Sequence, residues 1–213
     1  MKTKYLQIIE ITDVSNPDFK EALKIYIDSF PANERQAPSV IEKRVADKVS
    51  RLLVGKWEDK VNCMALLYEL KNEEFILLEY LGTDANYRSK GLGSKMMGYI
   101  SKVVEKLQKT LIIEVENPNF GKNREEKERR IRFYKRVGAK LLKGVRYVVP
   151  PLDGSEPIEM NLMFLPNYGN GKIPGAMLQE VIAQIYEEIY NRPRSDQLLQ
   201  SFINDISETV ELE

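Results

Sequence analysis

Two hydrophobic rhythms run through the chain. Residues 11–30, "ITDVSNPDFKEALKIYIDSF", begin as a strand and turn into a helix: Asn16 can cap it, Pro17 suits its first position and Asp18 its positive end. Phe19, Ala22, Leu23, Tyr26, Ile27 and Phe30 then recur at three- and four-residue steps, the spacing of one helical face. "PANERQAPS" stops that helix with two prolines, and "VIEKRVADKV" reads as a second, short one. The rhythm then changes to strands: "RLLVGKW", "VNCMALLYEL" and "FILLEYL", joined by the hairpin-length turns "EDK" and "KNE", predict an antiparallel meander. Met96, Met97, Ile100, Val103, Val104 and Leu107 return to helical spacing, followed by the short buried strand "TLIIEV". The charged segment "REEKERRIRFYKRVG" predicts a helix ending at Gly138. "VRYVVPP" and "IEMNLMFLP" complete the strands across the turn "LDGSEP". From about Pro166, "NYGNGKIPG" reads as a linker to two further helices, "AMLQEVIAQIYEEIY" and "SDQLLQSFINDI". The first carries Leu178, Val181, Ile182, Ile185, Tyr186 and Ile189 on one face. Strands and helices mixed in this order predict an α+β fold with a mostly antiparallel sheet.

Composition narrows the chemistry. The 213 residues, 43% apolar, suffice for one sizeable core or a core with an appendage. Lys+Arg and Asp+Glu number 32 each, so no global basic field points to nucleic acid, and the basic run "KNREEKERRIRFYKR" is diluted by acids. No apolar run approaches the roughly 18 residues of a membrane span. Met1 is followed by Lys-Thr-Lys without an apolar signal core, so a cytoplasmic protein with no membrane contact is expected. The single cysteine, Cys63, lies in an apolar run and is expected to be a small core residue. There is no histidine, which removes histidine-based triads, bases and metal ligands, and no metal is expected.

Between a strand pattern and a helix stands "DANYRSKGLGSKMMGYI", residues 84–100. The order Gly93-Ser94-Lys95 is wrong for a Walker-type loop, and Met96 stands where a dinucleotide fingerprint needs its third glycine. What remains is Arg88-x-x-Gly91-x-Gly93 entering a helix, where glycines let backbone approach a ligand and free first-turn N–H groups favour an anion. A plain strand-to-helix turn fits the same residues.

"LEYLGTDANYRSKGLGSKMM" resembles the acetyl-CoA-binding motif of the GNAT superfamily of N-acetyltransferases, a strand leading into R/Q-x-x-G-x-G/A and a helix. "RFYKRVGAK" resembles that family's later motif, an aromatic-Tyr pair four residues before a glycine. The two flank "TLIIEV" in the family's order, and the resemblance covers residues 4–165. It implies a GNAT domain over residues 1–165, with helices flanking a central sheet. The C-terminal helical extension of residues 166–213 lies outside it and is expected to pack on that core, with a homodimer contact or a wall of the substrate site as its other uses.

The resemblance also implies roles. Arg88, Ser89, Lys90, Gly91, Leu92, Gly93 and Ser94 would hold the pyrophosphate of acetyl-CoA, while Leu81, Gly82 and Thr83 would align its pantetheine arm and offer an oxyanion donor. A lysine-like amine, with a pKa of about 10.4, must lose a proton before attack. Glu79, four residues before Thr83, is the candidate base; an ordinary solvated strand residue is the alternative. Tyr134 matches the family's general acid, against an ordinary packed aromatic in the stripe Ile131, Tyr134, Val137. Glu34 is a further candidate contact for the substrate amine, or a surface loop charge. Counting back from Tyr134, Lys127 and Arg130 occupy places where the family often has Asn and Ala, and the connection "ENPNFGKNREEKE" is longer than usual. The expected activity is acetyl transfer to a primary amine of a small molecule or peptide; a non-catalytic acyl-CoA-binding module with the same fold is the alternative.

Overall fold

The computed structural model describes residues 5–71, 74–152, 156–165 and 171–213. Parts of three sequence readings lie outside these residues: the turns "KNE" and "LDGSEP" and the start of the linker "NYGNGKIPG". The described chain divides into two compact units, one running up to Glu69 with Ile76–Leu107, the other comprising Leu70–Phe75 with Gln108–Glu213.

In the first unit, β1 (Gln7–Ile11), β2 (Ser50–Trp57), β3 (Lys60–Glu69) and β4 (Phe75–Thr83) pair in sequence order, each antiparallel to the next. The meander is as expected, whereas the first strand starts before the stretch read from residue 11. β2 and β3 are joined by a tight turn in which Glu58 and Asp59 both take positive φ, 53° and 62°, matching the right-handed strand twist. Asn62 Oδ1 accepts the Trp57 N–H at 2.8 Å and braces that turn.

α1 (Pro17–Ser29) starts as predicted, with Asn16 accepting the Asp18 N–H at 2.9 Å. Its buried face is rotated from the expected one. Ile25 is buried and Ile27 is exposed, because the face centres on Ala22, between Phe19, Tyr26 and Ile25. With α2 (Pro38–Ala46) it covers Leu52, Val54, Met64, Leu66 and Tyr80. Strand alternation turns Gly55 and Cys63 to the opposite face, where Met96 of α3 (Leu92–Lys106) meets them. Cys63 is the expected core residue, and burial pushes its thiol up to about 11. Leu107, read as part of the α3 stripe, lies past the helix end and is exposed.

In the second unit, β5 (Thr110–Glu116) and β8 (Ile158–Leu165) pair antiparallel, and β6 (Lys140–Leu141) and β7 (Tyr147–Val149) both pair antiparallel to β8. α4 (Arg124–Arg136) follows β5 and stops near Gly138, whose φ is 99°. The C-terminal segment belongs to this unit and departs from its expected all-helical form. β9 (Lys172–Pro174) occupies part of the supposed linker and pairs antiparallel with β10 (Thr209–Glu211). α5 (Gly175–Glu188) buries the expected face, but the next helix, α6 (Gln197–Gln200), has only four residues and passes into a 3-10 turn, Ile203–Asp205. Strands of two or three residues are too short to show a periodicity, so β6, β9 and β10 escaped the pattern.

Gly175 is where this segment is most tightly built. A Cβ there would stand 2.0 Å from the Ser207 carbonyl oxygen, and the Gly175 N–H already donates to the Glu208 carbonyl at 2.7 Å. Gly175→Ala is expected to lower the unfolding free energy by about 1–3 kcal/mol, checked by denaturant titration.

Candidate functional site

The expected cofactor residues form one continuous strand, turn and helix in the first unit. β4 ends at Thr83, and Asp84 then caps a 3-10 turn, Ala85–Tyr87, accepting the Asn86 N–H at 2.8 Å. Arg88 Nε reaches back to the Thr83 carbonyl at 3.4 Å, and Lys90 Nζ lies 4.5 Å from the Tyr87 ring centre. Residues 88–91 are exposed. Ser89 and Gly91 take positive φ, 63° and 76°, and Gly91 begins α3 without a side-chain cap. The first-turn N–H groups, Leu92, Gly93 and Ser94 among them, therefore have no carbonyl within the helix and carry its positive dipole end. Such a turn can bind a phosphate.

The two glycines at the ends of this stretch serve different needs. A Cβ on Gly91 would meet nothing within 4 Å, so its left-handed backbone is the requirement. A Cβ on Gly82 would approach Ser29 Oγ to 3.1 Å and Ile25 Cγ2 to 3.2 Å, so Gly82 allows α1 to pack close. Leu81 and Thr83 are half-buried beside it, and Leu92 turns its side chain into the core.

Glu79 occupies a special place on β4. The register with β3 steps from Leu66–Tyr80 to Leu67–Leu78, leaving Glu79 as the extra residue of a β-bulge. Tyr80 thereby packs among the α1 and α2 contacts, and Glu79 meets α2. Its Oε1 accepts from Arg44 Nη1 at 2.8 Å, with side-chain exposures of 3% for Glu79 and 16% for Arg44. Ser50 Oγ lies 3.5 Å from Oε2, and the Arg44 guanidinium stands 5.4 Å from the Tyr68 ring centre. Glu79 is thus not a solvated strand residue: its carboxylate is closed into a buried ion pair.

The loop that carries Glu34, the candidate contact for the substrate amine, is fastened to tyrosine hydroxyls. Tyr26 Oη donates to the Gln36 carbonyl at 2.9 Å, the Gln36 N–H donates to Tyr80 Oη at 3.1 Å, and Tyr80 Oη donates to the Glu34 carbonyl at 3.4 Å. The rings of Tyr26, Phe30 and Tyr80 pack within 4.7–5.8 Å of one another.

In the second unit, Tyr134 is buried on α4 beside Phe133, ring centres 5.0 Å apart. Burial pushes its phenol up to about 12, with Arg130 pulling the other way. Among the described residues its hydroxyl has no hydrogen-bond partner. Lys127 and Arg130, the two departures from the family pattern, both bind Glu116, at 3.3 and 3.0 Å. Lys127 Nζ also donates to the Phe120 carbonyl at 2.6 Å, tying down the long connection after β5.

Sequence reasoning missed Glu114. It sits on β5 and accepts hydrogen bonds from the Tyr147 hydroxyl and from Tyr190 Oη, the latter at 3.3 and 3.2 Å to its two oxygens. Burial raises its pKa above the ordinary glutamate value, and the two tyrosine bonds act against that rise. The available signal was a carboxylate in the middle of "TLIIEVE", a run otherwise reading as buried strand.

Three solved structures with the same fold are distant in sequence. A GNAT-family protein from Bacteroides thetaiotaomicron superimposes with a TM-score of 0.71 at 21% identity, over 86% of this chain and 98% of that one. The ribosomal-protein-S18-alanine N-acetyltransferase from Escherichia coli gives 0.58 at 19%, over 78% and 97%. A GNAT family acetyltransferase from Elizabethkingia anophelis with acetyl-CoA bound gives 0.54 at 12%, over 76% and 98%. No curated protein matches by sequence. A sequence profile, however, matches residues 19–139, more than half of the chain, from Phe19 within α1 to beyond Tyr134, and on that match the chain belongs to the acetyltransferase (GNAT) family.

Proposed function

We propose that the protein is an acetyl-CoA-dependent N-acetyltransferase that acetylates a primary amine of a small molecule or peptide by direct attack. The observation that carries this reading is the Arg88–Ser94 turn, exposed over residues 88–91, with its left-handed Gly91 and uncapped helix start. It fits a pyrophosphate, and Arg88, Lys90 and Lys95 supply cations along the same stretch. Acetyl-CoA supplies the thioester carbonyl. Leu81, Gly82 and Thr83, at the end of β4, align the pantetheine arm and present a backbone N–H to the oxyanion.

A substrate ammonium must give up one proton before its nitrogen bonds the acetyl carbon, and a second as the carbon–sulfur bond breaks; the second replaces the proton that Tyr134 hands to the departing sulfur. We assign the proton acceptor to Glu114 in preference to Glu79. Glu79 is held in a buried ion pair with Arg44, which favours its charged form and makes it the weaker proton acceptor. Glu114 has no cationic partner among the described residues, and burial raises its pKa above the ordinary glutamate value, the direction that favours taking up a proton. Glu79 instead sets α2 against the β4 bulge. Tyr134, protonated throughout the neutral range, donates to the departing sulfur.

Calorimetric titration of acetyl-CoA tests the reading. The protein is expected to bind at micromolar affinity, and Gly91→Asp to lose binding by about a hundredfold or more, because it adds a carboxylate and strain where the phosphate would sit. Absence of binding by a folded wild-type protein would sink the acetyltransferase reading. Binding without turnover of any primary-amine probe would favour the acyl-CoA-binding module.

A further inference from the structure

The assignment of Glu114 leaves open what holds that carboxylate in place. β5 brings Glu114 alongside β8, with Leu162 as its cross-strand partner, but both of its hydrogen-bond donors come from later in the chain. Tyr147 stands at the start of β7 and Tyr190 just beyond α5. Both lie after residue 139, where the family match ends. The donors are themselves braced. The Tyr147 ring packs edge-on against Phe202, and the Tyr186 ring packs against Phe202 and Tyr190 at 6.1 and 5.9 Å. The Tyr186 hydroxyl donates to the Val148 carbonyl, fastening α5 to the strand that carries Tyr147.

We propose that Tyr190, contributed by the C-terminal segment, is a positioning residue whose hydroxyl, together with that of Tyr147, orients the Glu114 carboxylate for its task. This rests on the reading of Glu114 as the proton acceptor. Tyr147 binds Oε1, so Oε2 is left with the longer Tyr190 contact as its only bond among the described residues. One carboxylate oxygen is thus firmly held, and the other is lightly held and remains able to take a proton. The titratable groups facing this carboxylate are Tyr147 from β7 and Tyr186 and Tyr190 from the α5 region. Asp196, Arg192 and Arg146 act on Tyr186 from behind. On this view the C-terminal segment completes the acid–base machinery as well as the packing.

The test follows the Glu114 side-chain carbon by NMR in protein labelled with carbon-13 glutamate, with Glu114→Gln identifying the resonance. A hydroxyl that bonds the charged carboxylate lowers its proton affinity, so removing the hydroxyl raises it. In Tyr190→Phe the Glu114 titration midpoint is expected to move up by about half to one pH unit, the range for a long bond to a charged group. In Tyr147→Phe, where the shorter bond is lost, it is expected to move further. Acetyl-CoA affinity should stay unchanged in both variants. A midpoint in folded Tyr190→Phe equal to that of the wild type would overturn the proposal and reduce Tyr190 to packing. Loss of acetyl-CoA binding by the wild-type protein would instead strike the proposed function, and the calorimetric arm separates the two failures.

Discussion

Tyr134→Phe should lower kcat by about a hundred- to a thousandfold while leaving acetyl-CoA affinity within about twofold, the range for removing one proton donor from a transition state. Phenylalanine keeps the ring against Phe133 and the buried volume on α4, so only the hydroxyl is lost. That hydroxyl has no hydrogen-bond partner among the described residues, which leaves it able to donate to a ligand. Its proton affinity, pushed up to about 12 by burial, also decides how it acts. A free thiol titrates near 8.5, so handing over the proton to a solvated thiolate would run uphill. A thiolate forming in a desolvated site is more basic than one in water. Tyr134 therefore stabilises the departing sulfur first by hydrogen bonding, and the proton crosses as the carbon–sulfur bond lengthens. Steady-state kinetics with a responsive amine probe, beside calorimetry, separates kcat from binding; an unchanged kcat would make Tyr134 an ordinary packed aromatic.

Arg44→Met should destabilise the fold by about 3–5 kcal/mol, the cost of leaving a buried carboxylate without its counter-charge. Glu79 is 3% exposed, and the bulge fixes it where α2 must answer it. For a chain of this length the loss corresponds to a fall in Tm on the order of 10 °C. The double variant Arg44→Met/Glu79→Gln should recover much of the deficit, because an amide carries no charge to strand. A double-mutant cycle by denaturant unfolding checks this. If the single variant lost less than about 1 kcal/mol, the pair would be behaving as a surface salt bridge and the closure of Glu79 would be wrong.

Much of the first unit was legible in the sequence because its signals were local. Asn16, Pro17 and Asp18 announce α1, and the apolar runs from residue 51 to 81 announce the meander through short polar turns. The surroundings of Glu79 were not legible. Its burial depends on a bulge that shifts register by one residue and on an arginine 35 positions away. Periodicity says which face a strand residue takes only while the register is regular. Glu114 escaped for a related reason: its partners lie 33 and 76 residues downstream, in elements whose mutual approach no local pattern encodes. The C-terminal segment showed its α5 face plainly. Its three-residue strands stayed hidden because each is stabilised by its partner and has no rhythm of its own.

The last described residues bear on how the protein is made. Beyond β10, the chain runs along the outer side of β6: Leu141 and Glu213 exchange both backbone hydrogen bonds, at 2.8 and 2.9 Å, and Leu142 bridges to Leu212. During synthesis, residues 140–142 are complete long before residues 211–213 exist. For that interval a nascent chain carries an unpaired strand edge open to other chains. Ribosome-bound chains arrested before residue 211 should therefore associate with one another, or with chaperones, more readily than the released protein does.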